Sequence, residues 1–337
     1  MDNETRSQIR NLAEKVAKGR SMELVEDLIE TVMGFGEDNA SVADLKLFNR
    51  ALRELRTAAR VFGKFPDRKK ITVFGSARLA LDTEECKLAT AFAARMAEHD
   101  YMVITGGGDG IMGAAQQGAG AENSFGLNIR LPFEQPANII IDGDPKLILF
   151  RYFFTRKLVF VKDTDAFALF PGGFGTMDEG FEVLTLMQTG KSQIVPIIFF
   201  DKPDGYYWES WRRFICNDLL SKGLISESDL NLFIITHDID VATAEIQKFY
   251  SNFHSYRWVH ERMVIRIQRR ISDKALADIN RRFAHLLIEG EIIQTSALVE
   301  EKDTPELQDM PRIVLIPGKR DFGMLRLLID AINAADI

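Results

Sequence analysis

The chain has 337 residues, 46% apolar and 27% charged, the balance of a globular protein rather than a disordered, fibrous or membrane one. Its formal net charge of −7 excludes a diffuse basic field for nucleic acid, and no apolar run approaches the roughly 18 residues that span a bilayer. Two cysteines, Cys86 and Cys216, allow neither a disulfide framework nor a CxxC metal site, so both are expected to be packing residues.

The N-terminus is polar and lacks the apolar core of a secretory signal, which points to the cytoplasm. Residues 1–66 read as a helical extension. Leu24, Val25, Leu28, Ile29, Val32 and Met33 recur at helical spacing before Gly34 and Gly36 stop the pattern. Ser41 with Asp44 resembles a helix cap, and Leu45, Phe48, Leu52, Leu55 and Phe62 continue one apolar stripe. So short a segment cannot bury such a stripe alone, so it is expected to contact another subunit.

From residue 67 to 255 the period changes. Short β-rich runs at 71–74, 102–105, 125–129, 166–170, 195–200 and 232–235 alternate with helix-like stretches that include 84–98, 208–220 and 240–253. That alternation predicts an α/β fold, a Rossmann-like doubly wound parallel sheet covered on both faces. Residues 256–337 give a strand at 263–267, a helix at 273–288, strands at 292–298 and 313–316, and a final helix at 324–334. This is a small α+β (βαββα) module of ferredoxin or ACT type, broken by a proline-containing loop at 302–311 and expected to bind a regulatory ligand or mediate assembly.

Three strand ends carry the candidate chemistry. At the first, Gly75 and Ser76 make a small-residue turn whose hydroxyl and backbone donors lie on the carboxyl edge of the sheet. At the second, Thr105, Gly106, Gly107, Gly108, Asp109 and Gly110 lead into a helix; glycines let backbone N–H groups approach an anion, and the helix dipole favours phosphate. The same turn satisfies GxGxxG, but the next strand ends Asn128, Ile129, Arg130 without the acidic residue that holds a dinucleotide ribose, so a dehydrogenase is the lesser reading. At the third, Pro171, Gly172, Gly173, Phe174, Gly175 and Thr176 precede a helix that Thr176 can cap, with Glu179 and Glu182 one turn apart on one face. Upstream of it, Arg156 and Lys157 stand in an otherwise apolar helix, where an arginine can reach a phosphate or remain merely solvated. Asp178 and Glu179 also suit ordinary compensation of the helix dipole.

The turn at Gly75 and Ser76, TGGGxGxMxxxxxGA over 105–119, the Arg156 and Lys157 pair, and PGGxGTxxE over 171–179 together resemble the Lonely Guy family. Its members are nucleoside 5′-monophosphate phosphoribohydrolases long mislabelled as lysine decarboxylases, and the resemblance covers about residues 70–250. It implies hydrolysis of an N-glycosidic bond to free base and ribose 5-phosphate, with no cofactor and no metal. By position it implies Arg156 and Glu179 as the catalytic pair with Glu182 in support. Gly75, Ser76, Thr105, Gly106, Gly107, Gly108, Lys157, Gly172, Gly173, Gly175 and Thr176 are then the phosphate and substrate contacts. Thr155 departs from the commoner pattern, in which an acidic residue precedes the arginine. The expected partners are a small-molecule nucleotide and further copies of the chain, a dimer or higher, with no nucleic acid and no membrane. The competing class is a non-catalytic nucleotide or phosphorylated-cofactor carrier, which has no chemical need for Glu179 and Glu182. A pyridoxal-phosphate decarboxylase needs a Schiff-base lysine, and no lysine here is a candidate.

Overall fold

The computed structural model describes residues 1–131, 136–302, 304–318 and 321–337; Asp303, within the loop expected at 302–311, lies outside them. Three helices open the chain: α1 (Asn3–Glu14), α2 (Arg20–Glu37) and α3 (Val42–Phe62). Ser41 caps α3 as its sequence suggests, accepting the Asp44 N–H. The last turns of α3 are part of the main core: Ala58, Val61 and Phe62 are buried, and Phe62 stacks on Phe125 with ring centroids 4.4 Å apart.

The alternating segment runs β1 (Lys70–Phe74), α4 (Glu84–Glu98), β2 (Met102–Thr105), α5 (Ile111–Ala119), β3 (Ser124–Ile129), β4 (Leu147–Phe150), α6 (Phe153–Lys162), β5 (Ala166–Leu169), α7 (Phe174–Gln188), β6 (Ile197–Phe200), α8 (Tyr207–Phe214), β7 (Ile234–Thr236) and α9 (Ile239–Phe249). Its seven strands are all parallel, in the order β4-β3-β2-β1-β5-β6-β7. The chain winds outward from β1 to β4, then restarts beside β1 with β5 and winds the other way. This is the expected doubly wound sheet, and it puts a topological switch between β1 and β5. Alternation along β1 divides the core: Phe74 joins the cluster under α3, α6, α7 and α8, while Ile71 and Val73 join the one under α4, α5 and α9.

The remainder forms β8 (Phe253–Val259), β9 (Arg262–Ile267), α10 (Asp273–Phe283), β10 (Ile293–Thr295), β11 (Arg312–Leu315) and α11 (Phe322–Asn333), with an antiparallel sheet ordered β10-β11-β9-β8. β11 lies between β9 and β10, the split βαβ arrangement expected, and β8 adds a fourth strand beside β9. Two strands are missing from the sequence reading. β4 is a four-residue edge strand whose burial alternates but whose residues are all apolar, Leu149 included, so its sequence shows no alternation. β8 contains a register shift between Phe253 and Ser255, which breaks the period of two; the helix expected at 240–253 therefore stops at Phe249, and the division at 255/256 falls inside β8.

Candidate active site

The sheet order sets the carboxyl ends of β1 and β5 side by side, and the three turns meet there. Ser76 N–H donates to Pro171 O at 3.1 Å, and Ile111 N–H donates to Ser76 O at 3.0 Å, so the first turn is bonded to both others. Glycine is required at two of these contacts. Gly110 has φ +62°, and a Cβ on it would strike Ser76 O; one on Gly172 would strike the Thr176 side chain. Within the second turn Thr105 Oγ1 accepts the Gly107 N–H at 2.9 Å. Asn138 pins the same turn from outside, donating its main-chain N–H to Gly107 O (2.9 Å) and its Nδ2 to Gly108 O (2.8 Å).

Gly110 and Gly173 are the N-cap residues of α5 and α7, and neither N-terminus is capped by a side chain. The first-turn amides of α7 remain free for an anion, whereas in α5 the Ile111 N–H is taken by Ser76 O. Thr176 does not cap α7, contrary to the sequence reading: the helix starts at Phe174, so Thr176 sits inside the first turn, buried against Gly172. Gly173 and Gly175 are exposed, and Phe174 is 96% exposed, so this part of the site is an open ledge. A hollow of about 440 Å³ lies elsewhere, lined by Arg50, Arg53, Glu54, Arg56, Thr57, Arg60 and Leu149 and by no residue of the three turns.

Across the ledge, α6 and α7 bring five charged side chains together. Arg156 donates Nε to Leu127 O at 2.7 Å and lies over the Phe160 ring at 5.1 Å. Its Nη2 would be 2.5 Å from a Cβ on Gly106, so this glycine makes room for the guanidinium. Burial lowers the Arg156 pKa to about 10, opposed by the charge of Glu179. Lys157 Nζ stands 2.7 Å from Asp178, 3.1 Å from Glu182 and 3.9 Å from Glu179. Burial lowers the lysine's pKa, but these three carboxylates together outweigh it and the net movement is upward. Glu179 is 8% exposed, and burial pushes its carboxyl up to about 7 against the pull of Lys157 and Arg156.

Three residues in or beside this arrangement have no signature in the sequence. Asn138 lies in an irregular loop, Tyr207 donates its hydroxyl to Gly172 O at 2.6 Å from the start of α8, and Glu54 bonds the start of α6 from α3. Each acts across a long separation in the chain, where local pattern carries no information. Among the described residues no cluster of three or more His, Cys, Asp or Glu could hold a metal ion. No described helix is long and apolar enough to cross a membrane.

A family model described as "Possible lysine decarboxylase" matches residues 112–246. A probable cytokinin riboside 5′-monophosphate phosphoribohydrolase from Arabidopsis thaliana is 33% identical over 114 residues, 32% of this chain and 52% of that protein, so the chain spans about half of that relative's length. A protein of Mycobacterium tuberculosis named cytokinin riboside 5′-monophosphate phosphoribohydrolase is 28% identical over 158 residues, 46% of this chain and 82% of its own length. Among solved structures, a Moco carrier protein from Chlamydomonas reinhardtii aligns at 19% identity over 54% of this chain and 96% of its own, with a TM-score of 0.38, a likeness that bears no functional weight. Motifs and sequence matches agree in making residues 112–246 similar to the Lonely Guy family, whose family model is still described as a possible lysine decarboxylase.

Proposed function

We propose that this site hydrolyses the N-glycosidic bond of a nucleoside 5′-monophosphate, releasing free base and ribose 5-phosphate. The observation that carries the reading is the buried Glu179 carboxyl, held near neutrality beside two cations on a helix whose N-terminal amides are free. Cleavage passes through an oxocarbenium-like ribose, and an ionised carboxylate beside C1′ stabilises that charge and orients the attacking water. The water oxygen bonds to C1′ as the bond from C1′ to the base nitrogen breaks. Glu179 takes the water's proton, and the departing base takes one from solvent.

The other roles follow from position. The amides and side chains of Gly75, Ser76, Thr105, Gly106, Gly107, Gly108, Gly172, Gly173, Gly175 and Thr176 hold the phosphate and ribose. Arg156 binds the phosphate rather than the base, a reading supported by its Nη2 lying against Gly106 in the phosphate turn. Lys157 keeps Glu179, Glu182 and Asp178 from repelling one another, and Glu182 supports Glu179. No metal or organic cofactor enters this scheme. The chain acts as a homo-oligomer, supported by the face of α2 on which Leu24, Leu28, Val32 and Met33 are all exposed. The base is that of a cytokinin riboside monophosphate or of an ordinary purine or pyrimidine nucleotide.

The test is incubation with AMP, GMP, CMP, UMP and a cytokinin riboside monophosphate, each beside its unphosphorylated nucleoside, with free base followed by chromatography. Release from monophosphates alone is the expected result. Tight binding without release from any of them would replace the hydrolase with a nucleotide carrier.

A further inference from the structure

Glu54 is an acidic residue on α3, 4% exposed, and two of its hydrogen bonds leave the helix that bears it. Oε1 accepts the main-chain N–H of Arg151 at 2.9 Å and pairs with Arg50 Nε at 3.0 Å; Oε2 accepts the Thr155 hydroxyl at 2.7 Å. Arg151 and Thr155 bracket the start of α6, whose own N-cap residue, Tyr152, makes no side-chain cap bond. Resting on the hydrolase reading above, we infer that Glu54 is a positioning residue: it caps α6 from the N-terminal helices and so sets Arg156 and Lys157 against the carboxylates of α7.

The body of α6 does not need this contact. Val159 and Phe160 are buried in the main core and hold the helix from its middle onward. The first turn, where Thr155, Arg156 and Lys157 follow one another, has no comparable apolar anchor: Phe153 and Phe154 are each 52% exposed. Beyond the Glu54 bonds, the guanidinium is fixed by the Arg156 bond to Leu127 O. A free helix end frays, and a displacement of about 1 Å in a substrate-holding group costs on the order of 100-fold in rate. The N-terminal segment thereby enters the site without touching substrate.

Glutamine at this position provides the discriminating variant. Its carbonyl oxygen accepts from Arg151 N–H, and its amide donates to Thr155 Oγ1 while that hydroxyl turns to Tyr152 O, 3.0 Å away. Glu54→Ala is expected to lose tenfold to a hundredfold in kcat/KM for base release, whereas Glu54→Gln stays within about threefold of wild type. Val61→Ala, in the apolar face of the same helix, serves as a control for lost stability alone. The pH profile adds a readout that stability does not move: withdrawing Lys157 and Arg156 removes the charges that lower the Glu179 pKa, so the limb that rises with pH shifts upward in Glu54→Ala only. Hydrogen exchange of the amides at 153–157 reads the same coupling without activity, and is expected to quicken in Glu54→Ala but not in Glu54→Gln or Val61→Ala. Wild-type protein that releases no base would refute the hydrolase reading, and the exchange result would still decide the role of Glu54. Exchange and pH profile in Glu54→Ala matching those of Val61→Ala would overturn the inference.

Discussion

Burial takes the Glu179 carboxyl from its ordinary 4.5 to about 7, and two consequences can be measured. The folded protein keeps a proton that the unfolded chain releases, so the ionised side chain costs stability above pH 7 and nothing below about 4.5. Glu179→Gln should therefore gain on the order of 3 kcal/mol at alkaline pH, with the gain fading as pH falls through that window, as read by urea unfolding. The same variant should lose several orders of magnitude in kcat while still binding nucleotide, and wild-type kcat/KM should rise with pH to an apparent pKa near 7. Near-normal turnover in Glu179→Gln would remove this residue from the chemistry. Gly106 makes a second test, because a Cβ there would lie 2.5 Å from Arg156 Nη2 and 2.7 Å from Met112 Sδ. Gly106→Ala should fold normally yet lose on the order of 10- to 100-fold in kcat/KM, as Arg156 is displaced. At this scale much was legible: glycines and paired acids at helix starts have few ordinary uses in that combination. What Lys157 does was not, since its contacts with Asp178, Glu179 and Glu182 depend on how α6 lies against α7.

At the scale of elements, buried parallel strands announce themselves as short apolar runs, and those of β1, β2, β3, β5, β6 and β7 were read nearly in place. β4, a run of four apolar residues just before α6, was not told apart from its surroundings, and in β8 a bulge breaks the period that local reasoning uses. The N-terminal segment shows the opposite limit. One apolar stripe along α3 suggested a subunit contact, but its last turns close the core of the sheet, where Phe62 packs between α3 and β3. Phe62→Ala should accordingly cost about 3–5 kcal/mol in urea unfolding, a core-sized loss that a peripheral extension would not show.

For the whole molecule, the C-terminal sheet is not an appendage on a tether. Ile194 and Phe249 of the parallel-sheet half share one core with Leu325, Leu328, Ile329 and Ile332 of α11. Gly323 approaches Ser228 so closely that a Cβ would strike its carbonyl oxygen, and the Phe322 ring lies against Gly190. Leu328→Ala is expected to destabilise the entire chain by about 2–5 kcal/mol in a single transition; a separate early transition for the C-terminal residues would contradict that coupling. The sequence by itself determined the parallel sheet, its glycine turns and the βαββα order, because periodicity, turn chemistry and helix starts are local properties of the chain. Only the tertiary structure decided that α3 belongs to the core of the parallel sheet, that Glu54 reaches α6, and that the two sheets share apolar side chains. Those contacts join residues far apart in sequence, and their geometry is fixed by packing rather than by any pattern within a segment.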